Sequence, residues 1–429
     1  MEETTVIGGG LAGCEAAFTL ANAGCGVTLC EMKPRKLTPA HKSPDLFAEL
    51  VCSNSLKAAR VNTASGLLKA EMKLLGSLVV EAAESCSVAA GGALAVDRDK
   101  FAGYITNSIK SHKNIKIVSE ETVTFPAKNA IIATGPLTSD RFAAAIAKKC
   151  GGALSFYDAA APIVTKESVD FSTAFFASRY GKGGDDYINC PFTAEEYDRF
   201  YNELITAESV IQHGFDVYEG CMPVEVLAKR GKDSVRYGCM KPVGLTDPRT
   251  GKRPYAAVQL RAENADGSLY NIVGFQTNLR FGEQERVFRM IPGLQNAAFT
   301  RYGVMHRNTF LDSPKVLNHD FSLRDADNIF FAGQITGTEG YCESAVGGII
   351  AAKFLLSRLV GKEQPPLPAT TMCGSLARFI SDESNLRFQP IGAAMGLLPP
   401  LDTNIRDKAA RYEKLAARSL SDLTNWINI

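Results

Sequence analysis

The stretch Thr4-Thr5-Val6-Ile7-Gly8-Gly9-Gly10-Leu11-Ala12-Gly13 decides the fold of this chain. A β-branched run that leads into glycines at this spacing predicts a strand, a tight turn and the start of a helix. Gly8 permits the turn, Gly10 lets the backbone approach a pyrophosphate, and Gly13 lets the helix pack close to the strand. An anion would lie at the helix N-terminus, where unpaired N–H groups and the helix dipole favour negative charge.

The surroundings of these glycines make the motif specific. An alanine-rich stretch follows, and Val27-Thr28-Leu29-Cys30-Glu31 then reads as the second strand. Glu31 comes about 18 residues after Gly13, where an acidic side chain is placed to accept hydrogen bonds from a ribose. A glycine motif alone is weak evidence, but in this strand–helix–strand setting it predicts a dinucleotide site.

A second glycine-rich segment lies about three hundred residues later. The run at 328–334 reads NIFFAGQ, and Gly337, Gly340, Gly347 and Gly348 follow it. These glycines could form only a helix-entry turn, but their pairing with the first motif favours the second half of a split site. A split site favours FAD over NAD, because a nicotinamide domain usually completes its site within one contiguous unit. The N-terminal amides of the helix would hold a flavin edge or a phosphate.

A third landmark supports a flavin. The run at 129–136, NAIIATGP, reads as a buried strand that ends in Ala-Thr-Gly, a common second signature of flavin-binding Rossmann proteins. No second glycine motif with strand context follows, so a dedicated nicotinamide domain is not expected. The residues that we assign to cofactor binding are Gly8, Gly9, Gly10, Gly13, Glu31, Gly135, Gly333, Gln334, Gly340, Glu343 and Ser344.

Composition limits the function classes. With 429 residues, 45% hydrophobic and 22% charged, the chain should be a globular protein of two or more domains. A net charge of +1 makes no case for nucleic-acid binding by itself. The eleven cysteines include no CxxC pair and no Cys/His cluster, which argues against zinc and disulfides, so we expect no bound metal and a reducing cytoplasm. We also expect no signal peptide and no membrane span.

The predicted fold class is α/β, with a Rossmann-type FAD-binding domain that is split in sequence by an inserted mixed α+β domain. Residues 1–155 form its first part, and a helix is expected at 67–83. Residues 156–315 form the insertion (substrate) domain, with strand-like runs at 255–260 and 270–275. Residues 316–429 complete the FAD-binding domain and end in a closing helix at 406–428.

Five further runs resemble a known family. They are CSNSL at 52–56, AAGGALAVDR at 89–98, MKPVGL at 240–245, YGVMHRNT at 302–309 and GTEGYCE at 337–343. Together they resemble the folate- and FAD-dependent tRNA (uracil-5-)-methyltransferase family, a small relative of the wobble-uridine modification flavoproteins. The resemblance extends from the first strand to about residue 350, and its motifs are long and unusual.

The resemblance implies a reaction and its participants. The one-carbon unit would come from 5,10-methylenetetrahydrofolate, the flavin would relay it and supply hydride, and NAD(P)H would be the reductant. The acceptor would be C5 of the T-loop uridine in tRNA. Since C5 of uracil is a poor nucleophile until C6 is attacked, this chemistry requires an activated thiolate and a base that removes the C5 proton.

Two cysteines match the family's catalytic positions. Cys221 would be the nucleophile, and Cys52 would be a general acid/base or a flavin-side partner. Cysteine is more often a small buried hydrophobe. The flanking residues favour chemistry here, because Cys52 precedes Ser-Asn-Ser and Cys221 lies between a glycine and a nearby proline, as in a loop.

The folate side is assigned from the same resemblance. His306 lies in the run that the family uses to stack the pterin against the flavin, and Tyr341 is placed on the folate or substrate side. A partly buried structural histidine is the alternative for His306. His41 could equally contact substrate or lie in a solvated loop.

The RNA side is less well defined by the sequence. Basic clusters occur at Lys33, Arg35, Lys36 and Lys42, at Lys241, Arg249, Lys252 and Arg253, and at Arg406, Lys408, Arg411, Lys414 and Arg418. The last group would form a stripe that neutralises phosphates, although such a stripe is more often a solvated helix face. The target base would have to be flipped out of the folded T-loop.

Three other functions remain open at this stage. A ribosomal-RNA uridine C5-methyltransferase paralogue would share every motif. A small-molecule FAD oxidoreductase would turn over without RNA and without Cys221. A non-catalytic flavin-containing RNA-binding protein would leave the RNA unmodified, which two cysteines in polar loops argue against. The choice between NADH and NADPH also stays open.

Overall fold

The structure is a computed structural model. It describes residues 3–38, 40–151, 154–181, 184–210, 222–386 and 388–428, and it describes side chains for these residues except 154–158, 306 and 307.

The strands follow one another along the whole chain. In chain order they are β1 Thr4–Ile7, β2 Val27–Cys30, β3 Ser55–Ala58, β4 Ser87–Val88, β5 Ala93–Val96, β6 Ile115–Val118, β7 Ala130–Ile132, β8 Leu154–Ala159, β9 Ile163–Thr165, β10 Phe175–Phe176, β11 Tyr187–Phe192, β12 Ala256–Ala262, β13 Leu269–Ile272, β14 Phe299–Arg301, β15 Met305–Phe310, β16 Ser322–Leu323 and β17 Ala326–Phe331.

Helices separate and flank these strands. In chain order they are α1 Leu11–Asn22, α2 Ala64–Leu74, α3 Leu78–Ser85, α4 Arg98–Ser111, α5 Asp140–Cys150, α6 Ala194–Thr206, α7 Val224–Lys229, α8 Lys232–Arg236, α9 Phe281–Phe288, α10 Ser313–Val316, α11 Tyr341–Leu359, α12 Met372–Ser381 and α13 Lys408–Ile427. None of the helices in the described part of the chain is both long enough and apolar enough to cross a membrane.

A six-stranded sheet forms the first layer of the fold. Its order is β16-β17-β7-β1-β2-β6, and β17, β7, β1, β2 and β6 run parallel, whereas β16 pairs antiparallel to β17. The third landmark of the sequence, β7, thus pairs with the first strand, and the second landmark, β17, pairs with β7, despite their distance along the chain. The carboxyl ends of the parallel strands meet at one edge, where doubly wound proteins bind ligands. The α/β fold class is confirmed.

The insertion carries a second sheet and a separate core. Its order is β10-β11-β12-β13-β9-β14, and every pair in it is antiparallel. The buried rings of Phe192, Phe200, Phe275 and Phe288 pack on one another in its core. A two-stranded ribbon of β8 and β15 links the two sheets. The division at residues 155 and 315 stays a prediction.

Helices α1 and α11 pack directly against each other beside the parallel sheet. A Cβ atom on Gly348 would lie 2.1 Å from the carbonyl oxygen of Ala12, so glycine sets how closely the two helices approach. Both helices begin at the same edge of the sheet, and neither N-cap, Gly10 or Gly340, provides a side-chain cap.

The single helix expected at 67–83 is wrong. The chain forms two helices, α2 and α3, because Gly76 adopts a positive φ of 79° and the Ser77 side chain caps α3. The buried carboxylate of Glu15 accepts the N–H groups of Leu78 and Val79 at 3.1 and 2.9 Å, so it completes the cap from α1. The strand expected to continue to residue 275 ends at Ile272. The closing helix is confirmed as α13.

Candidate active site

A cleft opens at the carboxyl ends of β1, β2, β7 and β17. The empty space between its walls, part of which is open to solvent, is about 990 Å³. Eight of the residues predicted for cofactor, folate or substrate line it: Gly8, Gly10, Glu31, Gly135, Gly333, Gln334, Tyr341 and Ser344. The topology therefore brings residues from both ends of the chain to one site.

The turn between β1 and α1 has the backbone that a pyrophosphate site requires. Gly8 has φ of 104°, and a Cβ there would lie 2.5 Å from the Ala133 carbonyl oxygen. A Cβ on Gly13 would lie 1.8 Å from the Gly8 carbonyl oxygen, whereas one on Gly10 would meet nothing within 4 Å. Gly10 thus faces open cleft beside the uncapped amides of α1, which fits a phosphate group.

Glu31 stands at the end of β2 with its carboxylate already oriented. One oxygen accepts the N–H of Gly9, and the other accepts the N–H of Lys33 at 2.9 Å. The residue is 8% exposed. Because a carboxylate has about four acceptor sites, about two remain for ribose hydroxyls.

The far end of the cleft is formed by β17 and α11. Gly333 and Gln334 follow β17, and the Gln334 side-chain amide donates to Glu339 at 2.8 Å. The first turn of α11 has no side-chain cap, so its N–H groups can donate hydrogen bonds to a negatively charged group. The residues present thus fit a long dinucleotide with one polar group at each helix N-terminus, as FAD requires.

Four of the predicted cofactor residues do not line the cleft. Gly9, Gly13 and Gly340 shape the turns behind it. The Glu343 side chain, 1% exposed, forms an ion pair with Lys57 at 2.8 Å and accepts a backbone N–H. A direct role for these residues in cofactor binding stays a prediction.

Cys52 lies in a loop next to Val51, which lines the cleft. The backbone N–H groups of Cys52 and Ser53 donate to the Tyr341 hydroxyl at 2.9 and 3.0 Å. Burial raises the pKa of Tyr341, so its hydroxyl stays protonated at neutral pH. Tyr341 thereby holds the loop that carries Cys52 against the first turn of α11.

Cys221 belongs to the range 211–221, which lies outside the described residues. The residues on either side of this range are described. The N–H of Val210 donates to Asn278 at 2.8 Å, and that of Val224 donates to Gln276 at 2.7 Å. The buried Glu225 carboxylate then accepts from the Thr277 hydroxyl and the Asn278 N–H, both at 2.8 Å. The described residues Val210 and Val224, on either side of the range 211–221, therefore lie beside residues 276–278.

Residues 276–278 are also connected to the run at 302–309, which the family resemblance assigns to folate binding. Thr277 donates its N–H to the Ala160 carbonyl at 3.4 Å, and Ala160 donates its own to Val304 at 2.9 Å. From there β15 runs to the cleft, where the N–H of Thr309 reaches the Pro136 carbonyl at 2.9 Å. Backbone hydrogen bonds and strand β15 thus connect the described residues on either side of 211–221 to the rim of the cleft.

For the candidate histidines, the structure describes the side chain of His41 but only the backbone of His306. The backbone of His306 lies in β15 opposite Asp158, and its side chain lies outside the described set. His41 lines the cleft, and its Nδ1 lies 2.8 Å from the Thr38 hydroxyl. The substrate-contacting interpretation of His41 therefore gains a geometric argument that the sequence did not supply.

Some cations of the predicted basic clusters bind other residues of the chain, and others are exposed to solvent. Lys33 is buried and lies 3.5 Å from Glu49, so its interpretation as a surface cation is wrong. Arg249 binds Asp247, whereas Lys241, Lys252 and Arg253 are exposed. In the C-terminal stripe, Arg411 and Arg418 donate to backbone carbonyls, whereas Arg406, Lys408 and Lys414 are exposed.

Three arginines next to the site were missed from the sequence. Arg98, Arg261 and Arg301 donate to residues of the loop that carries Cys52, from positions up to 250 residues away. Only the AAGGALAVDR motif, which ends at Arg98, gave a signal. Within the described ranges, no group of three or more His, Cys, Asp or Glu side chains could hold a metal ion.

Comparison with known proteins places the chain in a family. The model of glucose inhibited division protein A matches residues 3–363. Methylenetetrahydrofolate--tRNA-(uracil-5-)-methyltransferase TrmFO of Acetivibrio thermocellus is 52% identical over 428 residues, covering 99% of this chain and 98% of that protein. The enzyme of the same name from Halalkalibacterium halodurans is 51% identical over 426 residues, with 98% of each chain covered.

Solved structures agree on the fold. Two crystal forms of Aquifex aeolicus GidA match with TM-scores of 0.71 and 0.69 at 17% identity, covering 99% of this chain and 73% and 78% of those chains. At that identity the likeness concerns the fold alone. The chain therefore belongs to the glucose inhibited division protein A family and, within it, to the folate- and FAD-dependent tRNA (uracil-5-)-methyltransferase family that its motifs predicted.

Proposed function

We propose that this chain is a FAD-dependent methyltransferase that methylates C5 of the T-loop uridine in tRNA. It takes the carbon from 5,10-methylenetetrahydrofolate and uses NAD(P)H as reductant. The observation that carries the proposal is 52% identity, over 99% of the chain, to a relative that bears the name of this activity. The cleft between two uncapped helix N-termini supports the flavin part of the proposal.

The residues around the cleft would hold the cofactor. The α1 amides and Gly10 would bind the pyrophosphate, Glu31 a ribose, and the first turn of α11 with Gln334 the flavin end. When bound, the flavin supplies the redox chemistry that turns a methylene unit into a methyl group. Gly135 and Ser344 also line the cleft.

Two thiols divide the work on the uracil. Cys221 attacks C6 as a thiolate, which makes C5 nucleophilic. After C5 has formed its bond to the one-carbon unit, removal of the C5 proton breaks the C6–S bond and releases the thiolate. Cys52 is the residue that we propose to exchange that proton, and it lies next to Val51 in the cleft lining, which supports the proposal. His306 and Tyr341 are assigned to the folate and substrate side, His306 through its place in β15 and Tyr341 because it lines the cleft.

The partner and the location follow from the same proposal. Exposed Lys241, Lys252 and Arg253 on the insertion are available for RNA phosphates. The uridine must leave the folded T-loop to meet both thiols, so binding includes base flipping. Cysteines without a disulfide pattern fit a cytoplasmic enzyme.

The proposal is tested by methyl transfer to defined RNAs. Purified protein is incubated with a T-loop minihelix, folate labelled in its methylene carbon, and NADPH, and the digested RNA is analysed for labelled 5-methyluridine. We expect label at the T-loop uridine with wild type, none with Cys221→Ala, and nearly normal label with the matched control Cys86→Ala.

The substrate controls separate the other functions. A minihelix with the T-loop uridine replaced by cytidine should carry no label. Label in a ribosomal-RNA fragment but not in the minihelix would assign the chain to the paralogue. NADPH oxidation that is independent of RNA and of Cys221, with neither RNA labelled, would indicate a small-molecule oxidoreductase. Bound flavin with tight, unproductive RNA binding would indicate a binding protein.

A further inference from the structure

Residues 50–54 form a loop at the rim of the cleft, which we call the Cys52 loop, and arginines hold its backbone. Arg98, at the start of α4, donates to the first and third carbonyl oxygens of the loop, the latter at 3.1 Å. Arg301, in β14 of the insertion sheet, donates to the second. Three successive carbonyl groups are thus bound by cationic donors, which form stronger hydrogen bonds than neutral ones.

The rest of the loop is held just as firmly. Arg261, in β12 of the insertion sheet, donates to Asn54 Oδ1 at 2.9 Å and to Ser53 Oγ at 2.8 Å. The Tyr341 hydroxyl accepts the N–H groups of Cys52 and Ser53. We call Arg98, Arg261 and Arg301 the arginine clamp. Arg98 comes from helix α4 and the other two members come from the insertion sheet, so separate parts of the fold hold the loop.

The clamp carries more positive charge than its surroundings neutralise. Glu263 pairs with Arg98, and the side chains are 4% and 14% exposed. Arg261 is 7% exposed. The Nε of Arg301 is buried without a hydrogen-bond partner. Among the described residues one carboxylate therefore faces three guanidinium groups, with the protonated Tyr341 hydroxyl as a neutral neighbour.

The electrostatic couplings point to the thiol as the missing negative charge. Burial lowers the pKa of Arg301, and the charge of Arg98 lowers it further, whereas negative charge on Cys52 acts in the opposite direction. Although burial opposes it, Glu263 raises the pKa of Arg98, and negative charge on Cys52 adds to that effect. Coupling between two charges is reciprocal, so the guanidinium groups favour negative charge at Cys52 to the same degree.

We propose that the arginine clamp holds the Cys52 loop at the rim of the cleft and stabilises Cys52 as a thiolate. Reduced access of water to the clamp makes each charge more effective than at the surface. The use of this thiolate to accept the C5 proton rests on the proposed function, whereas the clamp's effect on the thiol does not. Arg98, Arg261 and Arg301 are positioning residues, since they act on the reaction through Cys52.

The proposal is tested by site-specific alkylation of the folded, flavin-containing protein. Iodoacetamide labelling of the peptide that carries Cys52 is followed by mass spectrometry from pH 5.5 to 10 in wild type, Arg301→Met and Arg301→Lys. Removing one positive charge near the thiol should slow labelling about tenfold at pH 7 and move the profile up by about one pH unit. The rates should converge at high pH, and Arg301→Lys should restore most of the effect.

The controls separate charge from folding. Arg199→Met removes one charge from an exposed site in α6 and should leave the profile unchanged. Labelling of Cys150 gives an internal reference, because burial raises the pKa of that thiol to about 11. Arg261→Met provides a second clamp variant, and visible spectra report the flavin content of each protein.

The outcomes are distinct. A purely mechanical clamp would loosen in Arg301→Met, so labelling would become faster at every pH with an unshifted profile, and that result would overturn the proposal. Superimposable profiles in wild type and both clamp variants would overturn it as well. A shifted profile in a protein that transfers no methyl group to RNA would uphold the clamp and reject the proposed function.

Discussion

Substituting Gly348 by alanine tests the contact that sets the spacing of the two helices at the cofactor cleft. The new Cβ would lie 2.1 Å from the carbonyl oxygen of Ala12 and 2.8 Å from its carbon, both backbone atoms. Ordinary contact starts near 3.4 Å, so α11 must move away from α1 by about 1 Å. Both helices aim their first turns at the cleft, so the displacement also separates the two ends of the cofactor site.

The magnitude follows from two opposing effects. Overpacking of this kind costs about 1–3 kcal/mol, and alanine returns up to about 1 kcal/mol through its better helix propensity. In a domain of this size, a net loss of about 1–2 kcal/mol lowers Tm by roughly 2–8 °C. FAD affinity should fall by about tenfold or more, because a shift of about 1 Å is large for hydrogen bonds to phosphate.

The assay compares apo and FAD-saturated protein. Thermal unfolding gives Tm with and without FAD, and titration followed by flavin fluorescence gives Kd. The matched control is Gly103→Ala in α4, where a Cβ would meet nothing within 4 Å, so Tm should stay equal or rise slightly. Wild-type Tm and Kd in Gly348→Ala would refute the close-contact reasoning.

Three further predictions concern buried polar groups. Burial raises the pKa of Glu15 to about 7 from 4.5, so its contribution to the free energy of unfolding, at most on the order of 3 kcal/mol, is present below about pH 4.5 and lost as pH rises through 7. The Tm of wild type, measured relative to that of Glu15→Gln, should therefore fall from pH 5 to pH 8. A difference in Tm that stays constant would contradict this prediction. Lys57→Met leaves the buried Glu343 carboxylate without its ion pair and should lower the free energy of unfolding in urea by about 1–2 kcal/mol. The control Lys73→Met, which breaks an exposed pair, should lower it by less than about 1 kcal/mol. Equal losses in the two variants would argue against the prediction. Tyr341→Phe removes the acceptor of two N–H groups, so hydrogen exchange at the Cys52 loop should accelerate by at least about tenfold, and unchanged protection would show that the hydroxyl does not hold the loop.

The parts of the site that the sequence predicted are those set by local backbone geometry. Gly8 and Gly10 work within one turn, and Glu31 follows at a distance fixed by one helix and one strand, so spacing alone predicts their place in the cleft. Gly333 and Gln334 were found because a strand that ends in Ala-Gly repeats the same local pattern. Such signals are contained in a few successive residues.

The parts that could not be predicted depend on contacts between distant residues. Arg261 and Arg301 sit in strands whose sequence reads only as part of a sheet, and their loop partners lie more than 200 residues away. Glu343 has a motif position typical of a cofactor contact, yet its carboxylate meets Lys57, 286 residues away. The break between α2 and α3 was missed because apolar periodicity continues across Gly76.

The most direct test of the account is the origin of the transferred carbon. Wild-type protein is supplied with unmodified tRNA transcript, NADPH, FAD, unlabelled S-adenosylmethionine and folate with ¹³C in the methylene position. Mass spectrometry of the nucleosides should find 5-methyluridine one mass unit heavier than the unlabelled nucleoside, mapped to the T-loop fragment. Unlabelled 5-methyluridine, or T-loop uridine that stays unmodified in flavin-replete protein, would contradict the account.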